Sequence, residues 1–153
     1  MVYYKPLKDG RAQGMQACLT DGGFDYIDKN GTFQTGNETL IVGTPTFPKT
    51  AENTPPGAEE RSGMDRGHLL ARILGGDGDD RRNLVPLYPS ANRNVMKKFE
   101  AMVNSTSRSD QHTVWYSVTP IYDGSDIPIG LAVAWADVSS GDADTFFLPN
   151  SRR

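Results

Sequence analysis

The sequence predicts an α+β fold in which one long helix accompanies a mostly antiparallel sheet. Strand-like runs dominate the chain, only one segment has a clear helical period, and strands do not alternate with helices as in βαβ units. The 153 residues suffice for one domain, residues 1–153, with its own core. The single cysteine, Cys18, excludes an internal disulfide framework and a cysteine-rich zinc site.

Targeting signals and membrane spans are not predicted. No apolar run approaches the ~20 residues of a membrane-spanning helix. The first ten residues, MVYYKPLKDG, lack the charged-then-apolar pattern of a signal peptide. We therefore expect no membrane partner, and any export of the protein would depend on a signal outside this chain.

Charge is distributed unevenly along the chain. The net charge is −3, which by itself argues weakly against a polyanionic partner. Residues 61–108, however, carry nine basic and five acidic residues, a balance of +4, whereas the flanking segments are acidic. A local basic stripe on an acidic body is compatible with binding a polyanion at one site. The alternative is an ordinary solvated surface.

The first part of the chain contains short strand-like segments separated by turns. YYKPL and RAQGMQACLT flank the turn-like KDG, and Asp21-Gly22-Gly23 then breaks the pattern. Thr39–Phe47 is a further strand-like run, although Pro45 argues against a central position in a sheet. Lys49–Gly63 is rich in Pro, Thr, Glu and Gly, and is predicted to be an exposed loop.

The second half contains the helix and three further strands. Ala91–Asn104 is the predicted helix, with Ser90 as its N-cap and one apolar face formed by Val95, Met96, Phe99, Met102 and Val103. Strands are predicted for His112–Tyr122, Pro128–Asp137 and Thr145–Pro149, where β-branched and aromatic residues are frequent.

One short segment concentrates residues that could perform chemistry. Asp65, Arg66, Gly67 and His68 are consecutive and follow the predicted loop. In an extended segment Arg66 and His68 point to the same side, and Gly67 allows close approach of a ligand or another backbone. A guanidinium and an imidazole presented together suit a phosphate group and a proton transfer. The alternative is a buried polar cluster that ties the loop to the core.

The residues that follow extend this motif into a recognisable pattern. Asp65-Arg66-Gly67-His68, the Gly75-Gly76 loop, the segment from Arg82 to Pro86, Asn92, Met96 and Phe99-Glu100 closely resemble the DNA/RNA non-specific endonucleases, the ββα-metal (His-Me finger) nucleases with a D-R-G-H signature. The resemblance covers most of the chain, and it is closest to the branch that occurs as toxin modules of large secreted bacterial proteins. It implies a ββα-metal core on the mostly antiparallel sheet.

The resemblance also implies roles for individual residues. His68 would be the general base that deprotonates the attacking water, and Arg66 would stabilise charge on the scissile phosphate. Asn92 would be the direct protein ligand of Mg²⁺, with Mn²⁺ as the alternative ion. Because eight helical residues rise about 12 Å, Glu100 is expected to hold a water of the ion's outer shell rather than the ion itself. The alternative for Glu100 is a solvated helix position, and for Asn92 a helix cap.

Further site residues are also expected. Asn83 matches another asparagine of the family and is expected to order the loop or to contact the substrate, with a turn-stabilising asparagine as the alternative. Arg82 and Arg93 belong to the basic segment and are candidates for contacts with phosphates. Each of these arginines has surface solubility as its alternative. Asp65 and Gly67 are expected to support the site.

The sequence thus predicts a metal-dependent endonuclease that hydrolyses DNA and RNA without sequence specificity. The alternative is a catalytically inactive nucleic-acid-binding module of the same fold, and a sequence- or structure-selective nuclease is a further one. As a toxin module, the protein would be secreted or delivered into target cells as part of a larger protein and neutralised by a cognate immunity protein.

Overall fold

The computed structural model describes residues 2–19, 25–27, 30, 32–35, 50–59, 63–70, 76, 78–94 and 113–152. Several sequence expectations lie outside the described residues, namely the strand at Thr39–Phe47, the part of the Ala91–Asn104 helix after residue 94, Glu100 and His112. Within the described part, no helix is long and apolar enough to cross a membrane.

Strands account for most of the described secondary structure. They are β1 (Val2–Tyr4), β2 (Met15–Leu19), β3 (Asp25–Ile27), β4 (Phe33–Thr35), β5 (Asp65–His68), β6 (Leu84–Leu87), β7 (Val114–Ile121), β8 (Gly130–Asp137) and β9 (Ala143–Pro149). The main sheet has the order β4-β3-β1-β2-β7-β8-β9, and only its β1–β3 pair is parallel. Strands β5 and β6 form a separate antiparallel hairpin. The predicted mostly antiparallel architecture is confirmed.

One face of the main sheet carries the core. In β7 the buried side chains of Val114, Tyr116 and Val118 alternate with less buried neighbours, as expected for a strand with one face covered. The cover comes from the β5–β6 hairpin and the residues next to it, whose buried members in this cluster are Leu69, Leu70, Val85 and Leu87. Full burial of each such side chain contributes roughly 1.5–3 kcal/mol, so this packing fixes the hairpin on the sheet.

The helix after β6 begins earlier than the sequence predicts. Residues 89–94 are helical, and the Asn92 N–H donates the first helical hydrogen bond to the Tyr88 carbonyl at 3.0 Å. Pro89 therefore occupies the first helical position, where the missing proline N–H has no helical partner to lose. Ser90 is not the N-cap; its Oγ donates to the carbonyl of Ser151 at 2.8 Å.

The predicted loop Lys49–Gly63 is not simply exposed. Among its described residues 50–59 and 63, Asn53, Pro55 and Ala58 are buried. The expectation was wrong because it rested on polar composition. The loop folds against the rest of the protein through the side chain of Asn53, whose partners lie far away in sequence.

Candidate active site

The four residues of the D-R-G-H motif form strand β5, and their pairing with β6 sets their directions. Arg66 pairs with Pro86 and His68 with Leu84, and both motif side chains are half-buried on the same side of the strand. Gly67 between them is buried. A Cβ atom at Gly67 would lie 2.3 Å from Cδ1 of Leu87. The glycine is thus required by the close packing of a neighbouring side chain, not by a ligand or a backbone.

Arg66 is held by a buried asparagine that sequence reasoning missed. The Arg66 Nη1 donates to Oδ1 of Asn53 at 2.8 Å. Asn53 is only 1% exposed, and its Nδ2 donates to Oδ1 of Asp79 at 2.8 Å. The same Asn53 Oδ1 accepts from the N–H of Thr50 at 2.8 Å. Because two donors engage this oxygen, the asparagine fixes one end of the planar Arg66 guanidinium.

A local signal for Asn53 was present in the sequence. The Thr50 N–H donates to the Asn53 side chain, and the Asn53 N–H donates in return to Oγ1 of Thr50 at 3.2 Å. Threonine and asparagine three residues apart are typical of such reciprocal turns. The turn is predictable from that spacing, but the contact with Arg66, thirteen residues away, is not.

Asn92 contacts the first residue of the motif. Its Nδ2 donates to Oδ2 of Asp65 at 3.4 Å, a long hydrogen bond. This contact directs the amide nitrogen toward Asp65, and no other described group bonds the amide oxygen. An amide oxygen is a ligand that Mg²⁺ and other hard divalent cations accept. Asn92 thus fits the donor chemistry of a divalent ion, and Asp65 is the residue that orients it.

A conventional metal cage does not occur in the described part of the chain. No three His, Cys, Asp or Glu side chains there are grouped so that they could hold an ion. A site with one amide ligand is compatible with this, because Mg²⁺ dehydrates reluctantly and commonly retains several waters. His68 is half-buried and has interactions of its own. Glu100 lies outside the described residues.

Asn83 belongs to the structure of the loop and not to a substrate surface. It is fully buried, at 0% exposure. Its Oδ1 accepts from the N–H of Leu70 at 2.8 Å, and its Nδ2 donates to the Leu70 carbonyl at 3.1 Å. The geometry therefore selects the loop-ordering alternative, and the expectation of a substrate contact is corrected, because no surface of the side chain reaches solvent.

Arg82 is also engaged internally. Its Nε donates to both carboxylate oxygens of Asp80, at 3.0 and 3.1 Å, and Asp80 also caps the 3-10 turn Arg81–Asn83. The guanidinium carbon lies 5.3 Å from the ring centroid of Tyr4. The buried carboxylate of Asp80 thus binds the guanidinium fork, and the phosphate contact expected for Arg82 stays a prediction. Arg93, in contrast, is exposed beside the helix start.

Comparison with known proteins supports the ββα fold that was predicted for this site. A sequence model of the DNA/RNA non-specific endonuclease family matches residues 33–136. No curated protein matches the chain. Among solved structures, Sda1 nuclease with bound zinc ion superposes with a TM-score of 0.73 at 18% identity, covering 99% of this chain and 74% of that chain.

A second solved structure has the same fold. NucA from Streptococcus agalactiae with magnesium ion bound has a TM-score of 0.64 at 15% identity, covering 99% of this chain and 72% of that chain. These likenesses show the fold, in which the β5–β6 hairpin and the helix after it form the ββα unit. The family match spans the D-R-G-H strand, the hairpin and Asn92, and the chain accordingly belongs to the DNA/RNA non-specific endonuclease family.

Proposed function

We propose that residues 1–153 form a single nuclease domain that uses a divalent metal ion, Mg²⁺ or Mn²⁺, to hydrolyse phosphodiester bonds in both DNA and RNA. The observation that carries the proposal is the contact of Asn92 with Asp65, because it brings an oxygen ligand to the strand that presents Arg66 and His68. Family membership supports the nuclease activity, and the choice of ion and the range of substrates are the proposed parts.

Each motif residue has a defined task in this mechanism. A neutral His68 takes the proton from the attacking water at a ring nitrogen, the usual role of an imidazole in general base catalysis. Arg66, oriented by Asn53, stabilises the negative charge of the scissile phosphate through its guanidinium.

The metal site uses the helix after the hairpin. Asn92 would hold the ion through its amide oxygen while Asp65 keeps the amide in that orientation. Glu100 would accept a hydrogen bond from a water of the hydrated ion. The bound ion supplies electrostatic stabilisation of the charge that develops on the phosphate and the leaving oxygen. Contacts with the backbone alone would explain a lack of base specificity.

The decisive experiment is cleavage of supercoiled plasmid and of total RNA with Mg²⁺, Mn²⁺ or EDTA. We expect metal-dependent degradation of both substrates by the wild type. His68→Ala should lose at least ~100-fold in rate, as expected when a general base is removed. His112→Ala, which removes the only other histidine in the chain, is the matched control and should keep wild-type activity.

Addition of imidazole tests the role of His68 directly. Free imidazole should restore part of the activity of His68→Ala above pH 7, where it is mostly neutral. A wild-type protein that retards the plasmid in a gel without cutting it under any divalent ion would instead establish the inactive binding module of the same fold.

We also propose that the domain is a toxin module, secreted or delivered into target cells as part of a larger protein. In the producing cell, an immunity protein would keep it inactive. The acidic turns around Asp126 and Asp142, outside the basic segment, leave a surface for such a partner. Co-expression with the product of a neighbouring gene should yield a complex that does not cleave DNA. Absence of any inhibitory partner among those products would contradict this proposal.

A further inference from the structure

A cleft beside the helix start is lined by residues from three separate parts of the chain. It has a volume of about 460 Å³ and is lined by Gly63, Tyr88, Pro89, Ser90, Arg93 and Arg152. We call it the Tyr88 cleft. This volume lies within the range typical of ligand sites, about 300–1,000 Å³.

Among its described lining residues the cleft carries only positive charge. Arg93 and Arg152 are both exposed, and none of the described residues that line the cleft is acidic. In the described part of the chain, neither arginine forms an ion pair or a side-chain hydrogen bond. Two guanidinium groups with free donor forks are suited to binding phosphate oxygens.

An aromatic residue, Tyr88, also lines the cleft. The guanidinium carbon of Arg152 lies 5.6 Å from the ring centroid of Tyr88, within the range of a cation–π contact. Aromatic rings and arginine planes are the surfaces on which single-stranded bases stack, without preference for a particular base.

Hydrogen bonds hold residues 150–151 against the segment that lines the cleft. The N–H of Tyr88 donates to Oδ1 of Asn150 at 2.8 Å, and Oγ of Ser90 donates to the Ser151 carbonyl at 2.8 Å. The Nδ2 of Asn150 also donates to the Pro86 carbonyl at 3.2 Å. These bonds fix the backbone next to Arg152, so that less ordering entropy is lost on binding.

The cleft borders the proposed catalytic residues. Gly63 lies two residues before Asp65, and Tyr88 directly follows Leu87, the β6 partner of Asp65. The N–H of Asn92 donates to the Tyr88 carbonyl at 3.0 Å. A nucleic-acid strand whose scissile phosphate lies against the D-R-G-H motif can therefore continue into the cleft.

We propose that the Tyr88 cleft binds the nucleic-acid strand next to the scissile phosphodiester. Arg93 and Arg152 contact its phosphates, and the Tyr88–Arg152 pair stacks on one of its bases. This inference rests on the proposed nuclease function and deepens it, because it names a substrate-binding site that includes Tyr88 and Arg152, which lie outside the motif.

Binding of a labelled single-stranded DNA oligonucleotide, followed by fluorescence anisotropy in EDTA at 50 and 200 mM NaCl, tests the proposal without cleavage. One lost phosphate contact lowers the slope of log affinity against log salt by about 0.7 for single strands. Over this fourfold range of salt, the affinity of Arg152→Ala or Arg93→Ala should fall about 2.5-fold less than that of the wild type. For the double variant, the affinity should fall about sevenfold less than that of the wild type, because the two changes in slope add.

Matched variants separate charge from stacking. Arg152→Lys should keep the salt dependence, and Lys8→Ala removes one exposed positive charge outside the cleft and should behave as the wild type. Tyr88→Leu should weaken binding about tenfold without changing the salt slope, whereas Tyr88→Phe should retain affinity. In Mg²⁺, the losses in cleavage should fall on KM rather than on kcat. Circular dichroism verifies that each variant is folded.

The outcomes distinguish this inference from the proposed function. Equal salt slopes for Arg152→Ala, Arg93→Ala and Lys8→Ala, or wild-type affinity of Tyr88→Leu, would overturn the cleft while leaving a cleaving wild type as a nuclease. A wild type that binds through the cleft but never cleaves would overturn the nuclease function while supporting the cleft.

Discussion

Two asparagines close to the D-R-G-H hairpin should respond in opposite ways to replacement by alanine. Asn83 is fully buried and bonds both the N–H and the carbonyl of Leu70. Asn92 is half-exposed and forms one long side-chain bond, to Asp65. We expect Asn83→Ala to lose stability and keep activity, and Asn92→Ala to lose activity and keep stability.

The magnitude for Asn83→Ala follows from the groups it leaves unpaired. Leu70 is itself 0% exposed, so water cannot replace either lost bond. Each buried polar group left without a partner costs about 1–3 kcal/mol, which gives about 2–6 kcal/mol for the two backbone groups. Since domains of this kind are stable by about 5–15 kcal/mol in total, the variant should be strongly destabilised but still testable below its melting temperature.

Urea unfolding followed by tryptophan fluorescence measures the free energy of unfolding, and plasmid cleavage at low temperature measures the activity of the folded fraction. For Asn92→Ala we expect the free energy of unfolding to change by less than about 1 kcal/mol, since it loses one weak, solvated bond. If Asn83→Ala kept wild-type stability and lost activity, the assignment of Asn83 to the loop structure would be refuted.

Two further predictions concern packing and pH. Gly67→Ala should destabilise the hairpin by about 1–3 kcal/mol, because the new Cβ would lie 2.3 Å from Cδ1 of Leu87. In a double-mutant cycle, prior truncation by Leu87→Ala should abolish most of that penalty, and additive losses would contradict the clash. Burial raises the pKa of Tyr122 to about 12; the Arg11 guanidinium opposes this shift and the Asp126 carboxylate adds to it. Because the folded pKa exceeds the unfolded value of 10.0, the folded protein retains the proton longer, and stability should fall as pH rises from 10 towards 12. Tyr122→Phe should remove this part of the pH dependence, and an unchanged profile of the free energy of unfolding between wild type and variant would contradict it.

Local patterns predicted the parts of the fold that depend on neighbouring residues. Strand β7 could be predicted because β-branched and aromatic residues are frequent in it, and such side chains pack well on a half-buried sheet surface. The common side of Arg66 and His68 could be predicted because side chains two residues apart face the same way in an extended backbone. The helix start was misplaced by two residues, because Pro89 satisfies the first helical position as well as Ser90 satisfies a cap.

The environment of polar side chains was predicted less well than that of apolar ones. A polar side chain can either be exposed to solvent or be buried with a hydrogen-bond partner. Asn53 was assigned to an exposed loop, yet it is buried because Arg66 and Asp79 supply partners 13 and 26 residues away. Asp80 and Tyr4 contact the guanidinium of Arg82, and neither partner was predicted. Composition records the polarity of such residues but not their partners.

The sequence by itself therefore determined the α+β class, which rests on local residue patterns, and the nuclease family, which the D-R-G-H motif and the residues after it resemble. The tertiary structure decided which polar groups meet. Asn92 reaches Asp65 across 27 positions, and Asn150 bonds Tyr88 across 62. Contacts of that separation depend on how the sheet, the hairpin and the helix pack together, and hydrophobic burial over the whole domain sets that packing.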